Sequence, residues 1–191
     1  MSKVAFVVGN GVSRKEVNLE SLVDKAPIYG CNALCRDFSA WNYLVAIDDG
    51  MIDEIKRYHM NKGHVIFPDE DERWEPAEYS PKRRRANAGM IAMQEAIKRG
   101  GEIIYCLGMD FVLKSDIAVS NVYRDSENYG PETRSTQDDN YYRIKYLSWF
   151  AKQNPKVKFV FVVPDNISMR DIGESNVVGM KMETFKKKLN S

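Results

Sequence analysis

Histidine and cysteine are scarce in this chain. Two histidines, His59 and His64, and three cysteines, Cys31, Cys35 and Cys106, are spread over 191 residues. The cysteine count is odd and no C-x-x-C pair occurs, which suits reduced thiols and excludes a disulfide framework. So few soft ligands also argue against structural zinc. No apolar stretch approaches the ~20 residues of a membrane span, and the apolar run after Lys3 is too short for a signal-peptide core. A cytoplasmic protein is expected. With a formal net charge of +1, no bulk field draws the chain to nucleic acid or membrane, so any charge-based function must be local. Motifs are missing too: there is no G-x-S-x-G elbow, no P-loop lysine motif and no G-x-G-x-x-G. No internal repeat or low-complexity linker interrupts the sequence.

What is present is a succession of short apolar runs separated by helical patterns, the rhythm of a parallel sheet covered on both faces. The fold class expected is therefore α/β, Rossmann-like, with a mostly parallel central sheet of about six strands flanked by helices. The strands read as Val4 to Val8, Pro27 to Asn32, Tyr43 to Ile47, Val65 to Phe67, Glu102 to Leu107 and Val157 to Val163. Helices are expected from Met51 toward Gly63, from a cap at Asn87 to Gly100-Gly101, and from about Asn140 to Gln153. One domain over 1–191 is expected, with long loops at 68–85 and 114–139. Loops of that length in a compact domain commonly bind or cover a ligand, and the second reads as a substrate-covering loop.

The first strand runs straight into Gly9-Asn10-Gly11-Val12-Ser13. Glycines at a strand end let the backbone approach a ligand, and a following helix would turn its free amides toward phosphate. Asn-Gly is equally a hairpin signal. The next residues lack period-two alternation, whereas Leu19, Leu22 and Val23 fit a helical stripe, so strand, loop and helix is the reading preferred. In an open parallel sheet ligands lie beyond the strands' carboxyl ends. Those ends carry Gly9 to Ser13, Cys31-Asn32, Asp48-Asp49, Gly108-Met109-Asp110 and Pro164-Asp165-Asn166. Lys82-Arg83-Arg84-Arg85 stands just before a helix N-terminus, where added positive charge is unfavourable unless an anion binds. The competing reading pairs this basic run with the acidic Asp69-Glu70-Asp71-Glu72 before it. Lys186-Lys187-Lys188 reads as a solvated helix face. A di- or triphosphate ligand would bring Mg²⁺ into play, with Asp48, Asp49 or Asp110 as ligands by position, although no metal site is assigned.

Taken in order, Gly9-Asn10-Gly11-Val12-Ser13, Cys31-Asn32, Asn87-Ala88-Gly89 and Gly108-Met109-Asp110-Phe111 resemble the motif series G-N-G-P-S, C-N, S-G and G-I-D-F of bacterial CMP-sialic-acid-dependent sialyltransferases. They also resemble the Rossmann-like 6-hydroxymethylpterin diphosphokinase MptE-like family. The resemblance implies a nucleotide pocket lined by Gly9, Asn10, Gly11, Ser13, Asn32, Asn87, Gly89 and Gly108. Two positions depart from the sialyltransferase motifs: Val12 replaces the proline, and Ala88 the serine before the glycine. Gln137 or Asp138 stands where that family places its catalytic histidine.

The function expected is a nucleotide-binding transferase, moving either a glycosyl group from a nucleotide sugar or a diphosphate from a nucleoside triphosphate. Amides of Gly9 to Ser13 would hold phosphate, Arg83, Arg84 and Arg85 would offset its charge, and Asp110 or Asp138 would act as base. The missing histidine keeps open a non-catalytic nucleotide-binding module. The partner is a nucleotide or nucleotide sugar rather than nucleic acid or membrane, and a homo-oligomer is left open.

Overall fold

The run Val4–Val8 forms strand β1 and places alternate side chains on opposite faces of a sheet: Ala5 and Val7 enter one buried cluster, Phe6 and Val8 the other. In the computed structural model, which describes residues 3–191, six more strands follow. They are β2 (Ile28–Cys31), β3 (Tyr43–Val45), β4 (His64–Ile66), β5 (Ile103–Leu107), β6 (Lys158–Val163) and β7 (Val177–Lys181). All are parallel, in the order β4-β3-β2-β1-β5-β6-β7. The chain builds outward from β1 to β4, returns to lay β5 on the other side of β1, and then builds outward again. The order therefore reverses between β1 and β5, where an open α/β sheet leaves a crevice.

Four α-helices cover the two faces: α1 (Asp49–Tyr58), α2 (Ala88–Lys98), α3 (Gln137–Gln153) and α4 (Met182–Leu189). Met90, Ala92, Met93 and Ala96 of α2 pack with Leu147, Phe150 and Ala151 of α3 on one face. On the other face Met51, Ile52 and Ile55 of α1 and Met182, Phe185 and Leu189 of α4 enter one buried cluster. Asn87 caps α2 as expected, its side chain accepting from the Gly89 amide at 2.7 Å. Among the described residues no helix is long and apolar enough to cross a membrane.

Two features differ from the sequence expectation. The sheet has seven strands: β7, an edge strand only partly buried and interrupted by Gly179, lacks the apolar run that marks the others. The helix expected after the glycine turn is instead a pair of 3₁₀ turns, Val12–Glu16 and Leu19–Leu22. Its first turn is held by inward-facing side chains, since Ser13 and Arg14 are buried, and Asn18 then caps a new turn by accepting from the Glu20 amide at 3.2 Å.

Candidate functional site

The two loops at the switch point are bonded to each other. The Gly9 amide donates to the Leu107 carbonyl and the Gly11 amide to the Gly108 carbonyl, each at 2.8 Å. Asp110 then accepts from the Ser13 amide at 2.9 Å and from the Ser13 hydroxyl. Gly108 adopts a left-handed backbone (φ 62°), which glycine tolerates without a Cβ penalty. At Gly11 there is no room for a side chain, because a Cβ would stand 2.6 Å from the Gly108 carbonyl oxygen. This seam has a chemical consequence: the Gly9, Gly11 and Ser13 amides, expected to cradle phosphate, are spent inside the protein.

Above the seam lies a cavity of about 900 Å³. Its floor is Gly9, Asn10, Gly11 and Gly108, and its sides include Asn32, Asp48, the α2 start at Asn87-Ala88-Gly89, and Asp110. Cys31 also lines it, although burial pushes its thiol up to about 12, so it offers no ready thiolate. Asn32 takes a left-handed conformation (φ 44°) and joins β2 to β3, donating to Asp48 at 3.0 Å and accepting from the Ile47 amide at 3.3 Å. The Asn10 side chain donates to the Cys31 carbonyl at 2.9 Å, and its own oxygen is buried without a partner. The Tyr129 hydroxyl, from another cavity residue, is likewise unpartnered. Buried polar atoms without partners are costly, so these two point to a ligand or water inside.

The 114–139 segment forms the roof and is stapled down. Val122 donates to the Asn10 carbonyl at 2.8 Å, and Gly11 and Asn121 form an antiparallel bridge. Buried Arg14 donates to the Tyr123 hydroxyl at 2.6 Å. Arg36 grips Glu54 with two bonds of 2.7 Å and also donates to Ser126 Oγ and the Glu127 carbonyl, both at 2.8 Å. This covering segment is held by a built lattice of contacts.

The basic run folds back on the acidic one. Trp74 and Arg85 form an antiparallel bridge, and Glu75 donates its amide to the Arg84 carbonyl at 2.8 Å. Arg83 pairs with Asp71 and does not line the cavity; Arg85 pairs with Glu70 at 2.9 Å while also donating to the Ile47 carbonyl at 2.8 Å. Arg84 has no ion pair among the described residues, and its guanidinium lies 3.4 Å above the Tyr142 ring at the cavity wall. The acidic run thus takes up Arg83 and Arg85 and leaves Arg84 without such a partner among the described residues.

Five arginines (Arg84, Arg85, Arg124, Arg134, Arg143) and five carboxylates (Asp48, Glu75, Asp110, Glu132, Asp139) line the cavity. Among the described residues none of these arginines forms an ion pair with any of these carboxylates. Arg85, Arg124 and Arg134 instead pair outward, with Glu70 and Asp125. Arg143 has no ion pair either; it donates to Ser135 Oγ at 2.9 Å and Asn140 Oδ1 at 3.1 Å, and burial disfavours its charged form. Burial raises the Asp48, Glu75 and Asp110 carboxyls above the ordinary carboxylate range.

Of the sequence-level base candidates, Asp110 lines the cavity with each oxygen accepting a bond from Ser13, and Asp138 is exposed and outside it. The cap of α3 is Thr136, in a reciprocal box with Asp139. Ser13 is buried beneath the floor and does not line the cavity. Glu75 and Arg143 are among the cavity residues that sequence reading missed, with Arg124, Arg134, Glu132, Asp139 and Tyr129. His59 follows the end of α1, His64 opens β4, and neither lines the cavity. Among the described residues no three or more His, Cys, Asp or Glu side chains converge as a metal site.

No family model matches this sequence, and no curated protein matches it. In fold the chain is similar to the sialyltransferase CstII from Campylobacter jejuni, solved with the substrate analogue cytidine-5'-monophosphate: TM-score 0.54, 15% identity, 83% of this chain and 79% of that one covered. A structure of the sialyltransferase CST-II with a trisaccharide acceptor and CMP gives TM-score 0.51 and 16% identity over 83% and 80% of the two chains. At such identity the likeness is one of fold.

Proposed function

We propose that this chain binds a nucleotide sugar across the β1/β5 switch point and transfers its glycosyl group to an acceptor hydroxyl. The observation that carries this reading is the set of unpaired charges in one cavity. Arginines without ion pairs at the wall of one cavity call for an anion, and Arg84 and Arg143 are the two so placed. They would take the phosphate that the committed amides of the glycine turn do not. The nucleoside would rest on Gly9, Gly11 and Gly108, with the free Asn10 oxygen and Tyr129 hydroxyl reading its polar edge. The fold it shares with proteins solved with CMP and with a trisaccharide acceptor supports this class of ligand over others.

In such a transfer the charge that builds on the departing phosphate meets guanidinium groups already in place. One observation favours the simpler reading of a nucleotide-binding module: no histidine lines the cavity among the described residues. Thermal melting with CMP, CDP, ATP, GTP and nucleotide sugars, followed by product analysis, separates the two. A cognate nucleotide at 100 times its dissociation constant adds about 2.7 kcal/mol of stability. Free nucleoside phosphate and a glycosylated acceptor are the expected products. Diphosphate on the acceptor would instead favour the diphosphokinase chemistry, a bound but unchanged nucleotide the module, and no shift with any nucleotide would remove the proposal.

A further inference from the structure

The cavity carboxylates are not equivalent. Asp110 accepts from Ser13 through both oxygens, Asp48 accepts from Asn32, and Asp139 is committed to the Thr136 cap. Glu132 is exposed. Glu75 alone is both buried (6% exposed) and without a side chain bonded to or paired with its carboxylate among the described residues; only the Arg84 backbone amide and guanidinium act on it. Its backbone, by contrast, is fixed at both ends, the amide donating to the Arg84 carbonyl at 2.8 Å and the carbonyl accepting from Arg83 Nε at 2.6 Å. A pinned backbone thus sets the Glu75 carboxylate in the cavity wall beside Arg84, with no other side chain bonded to it.

We propose that Glu75 is the general base of the glycosyl transfer, accepting the proton of the acceptor hydroxyl. This rests on the nucleotide-sugar reading above. As the acceptor oxygen forms its bond to the anomeric carbon, its proton passes to the Glu75 carboxylate. The anomeric carbon–oxygen bond to phosphate breaks with its electron pair leaving on the nucleotide phosphate, beside Arg84 and Arg143. The proton returns to water after the product leaves.

The groups around Glu75 suit this task. Tyr79 from the same loop and Tyr146 from α3 lie 5.1 Å apart, ring centre to ring centre, and Tyr146 stacks on Trp149 at 5.7 Å, forming an aromatic backing. Burial raises the Glu75 carboxyl, while the Arg84 guanidinium and backbone amide pull the other way; the carboxylate in turn helps raise Tyr79 and Tyr146. A carboxylate so balanced takes up a proton more readily than an ordinary surface glutamate does.

The test uses the nucleotide sugar that most raises the melting temperature of the wild-type protein. Glu75→Gln should bind it within about threefold of wild type while turnover falls by about 100-fold or more, the scale of a lost general base. Formate should restore turnover to Glu75→Ala in a concentration-dependent way. The wild-type kcat should fall toward acid with a midpoint above the ordinary carboxylate range, and the residual activity of Glu75→Gln should lack that fall. If Glu75→Gln fails to melt cooperatively, formate rescue and the wild-type profile decide. Wild-type turnover in Glu75→Gln with donor bound overturns the base assignment and leaves the nucleotide-sugar reading standing. A wild-type protein that binds no nucleotide sugar overturns both.

Discussion

Ser13 gives Asp110 both its backbone amide, at 2.9 Å, and its hydroxyl, and so ties the loop after β1 to the loop after β5. Burial raises the Asp110 carboxyl and the two bonds from Ser13 oppose that rise. In Ser13→Ala the folded-state value should rise further, because a bond to the charged form is lost. The folded variant then holds its proton to higher pH than folded wild type does. The stability advantage of wild type should accordingly grow as pH rises from the ordinary carboxylate range through the raised one. A cost of about 1.5–3 kcal/mol is expected at pH 7, in line with bonds to charged groups, and a smaller one near pH 4. Urea denaturation of both proteins across this range measures it.

Gly11→Ala tests the same seam sterically. The added methyl would meet the Gly108 carbonyl at 2.6 Å and the Asp110 carboxylate more closely still. Because one neighbour is backbone and the other is held by Ser13, neither yields cheaply. A loss of about 1–3 kcal/mol is expected, together with weaker nucleotide binding. Melting and titration calorimetry on one preparation would report both.

The arginine run should divide by residue. Arg84→Ala and Arg143→Ala are each expected to weaken nucleotide binding by about tenfold to 100-fold, the cost of one charge-assisted bond, with little change in melting temperature. Arg83→Ala, which breaks the pair with Asp71 and the bond to the Glu75 carbonyl, should loosen the 68–85 segment and leave phosphate affinity closer to wild type.

Arg36 fastens the roof through Glu54, Ser126 and the Glu127 carbonyl. Arg36→Ala should therefore accelerate amide exchange in residues 121–130 while the β1 and β5 amides stay protected. The Arg36 hydrogen bond also lowers the Glu54 carboxyl. Its stabilisation is present above the unfolded-state value of about 4.3 and is lost as pH falls toward the depressed folded one. The protection factors of the wild-type roof, taken relative to intrinsic exchange, should then fall in acid, a response the variant lacks.

Much of this was legible in the sequence. Buried strands such as Val4–Val8 and Lys158–Val163 advertise themselves as apolar runs, and Asn87 announces its helix as a cap. Edge strand β7 did not, because a partly buried edge needs no continuous apolar run. The pattern Thr136-x-x-Asp139 carried a capping signal that would have placed the start of α3 and directed attention from Asp138 to Asp139. Glu75 was hidden for a different reason. It sits in a highly charged stretch, and only its backbone pairing with Arg84 brings it inside. Which amides of Gly9 to Ser13 remain free was equally beyond the sequence, since their partners lie about a hundred residues away on β5 and its following loop.

The most direct measurement is a calorimetric titration of CMP into wild type, Arg84→Ala, Arg143→Ala and Arg83→Ala at fixed salt and pH. Saturable binding to wild type is expected, with at least about tenfold weaker binding to Arg84→Ala and Arg143→Ala and a much smaller change for Arg83→Ala. No heat of binding in wild type, or equal affinity in all four proteins, would contradict a phosphate held by the two unpaired arginines of the switch-point cavity.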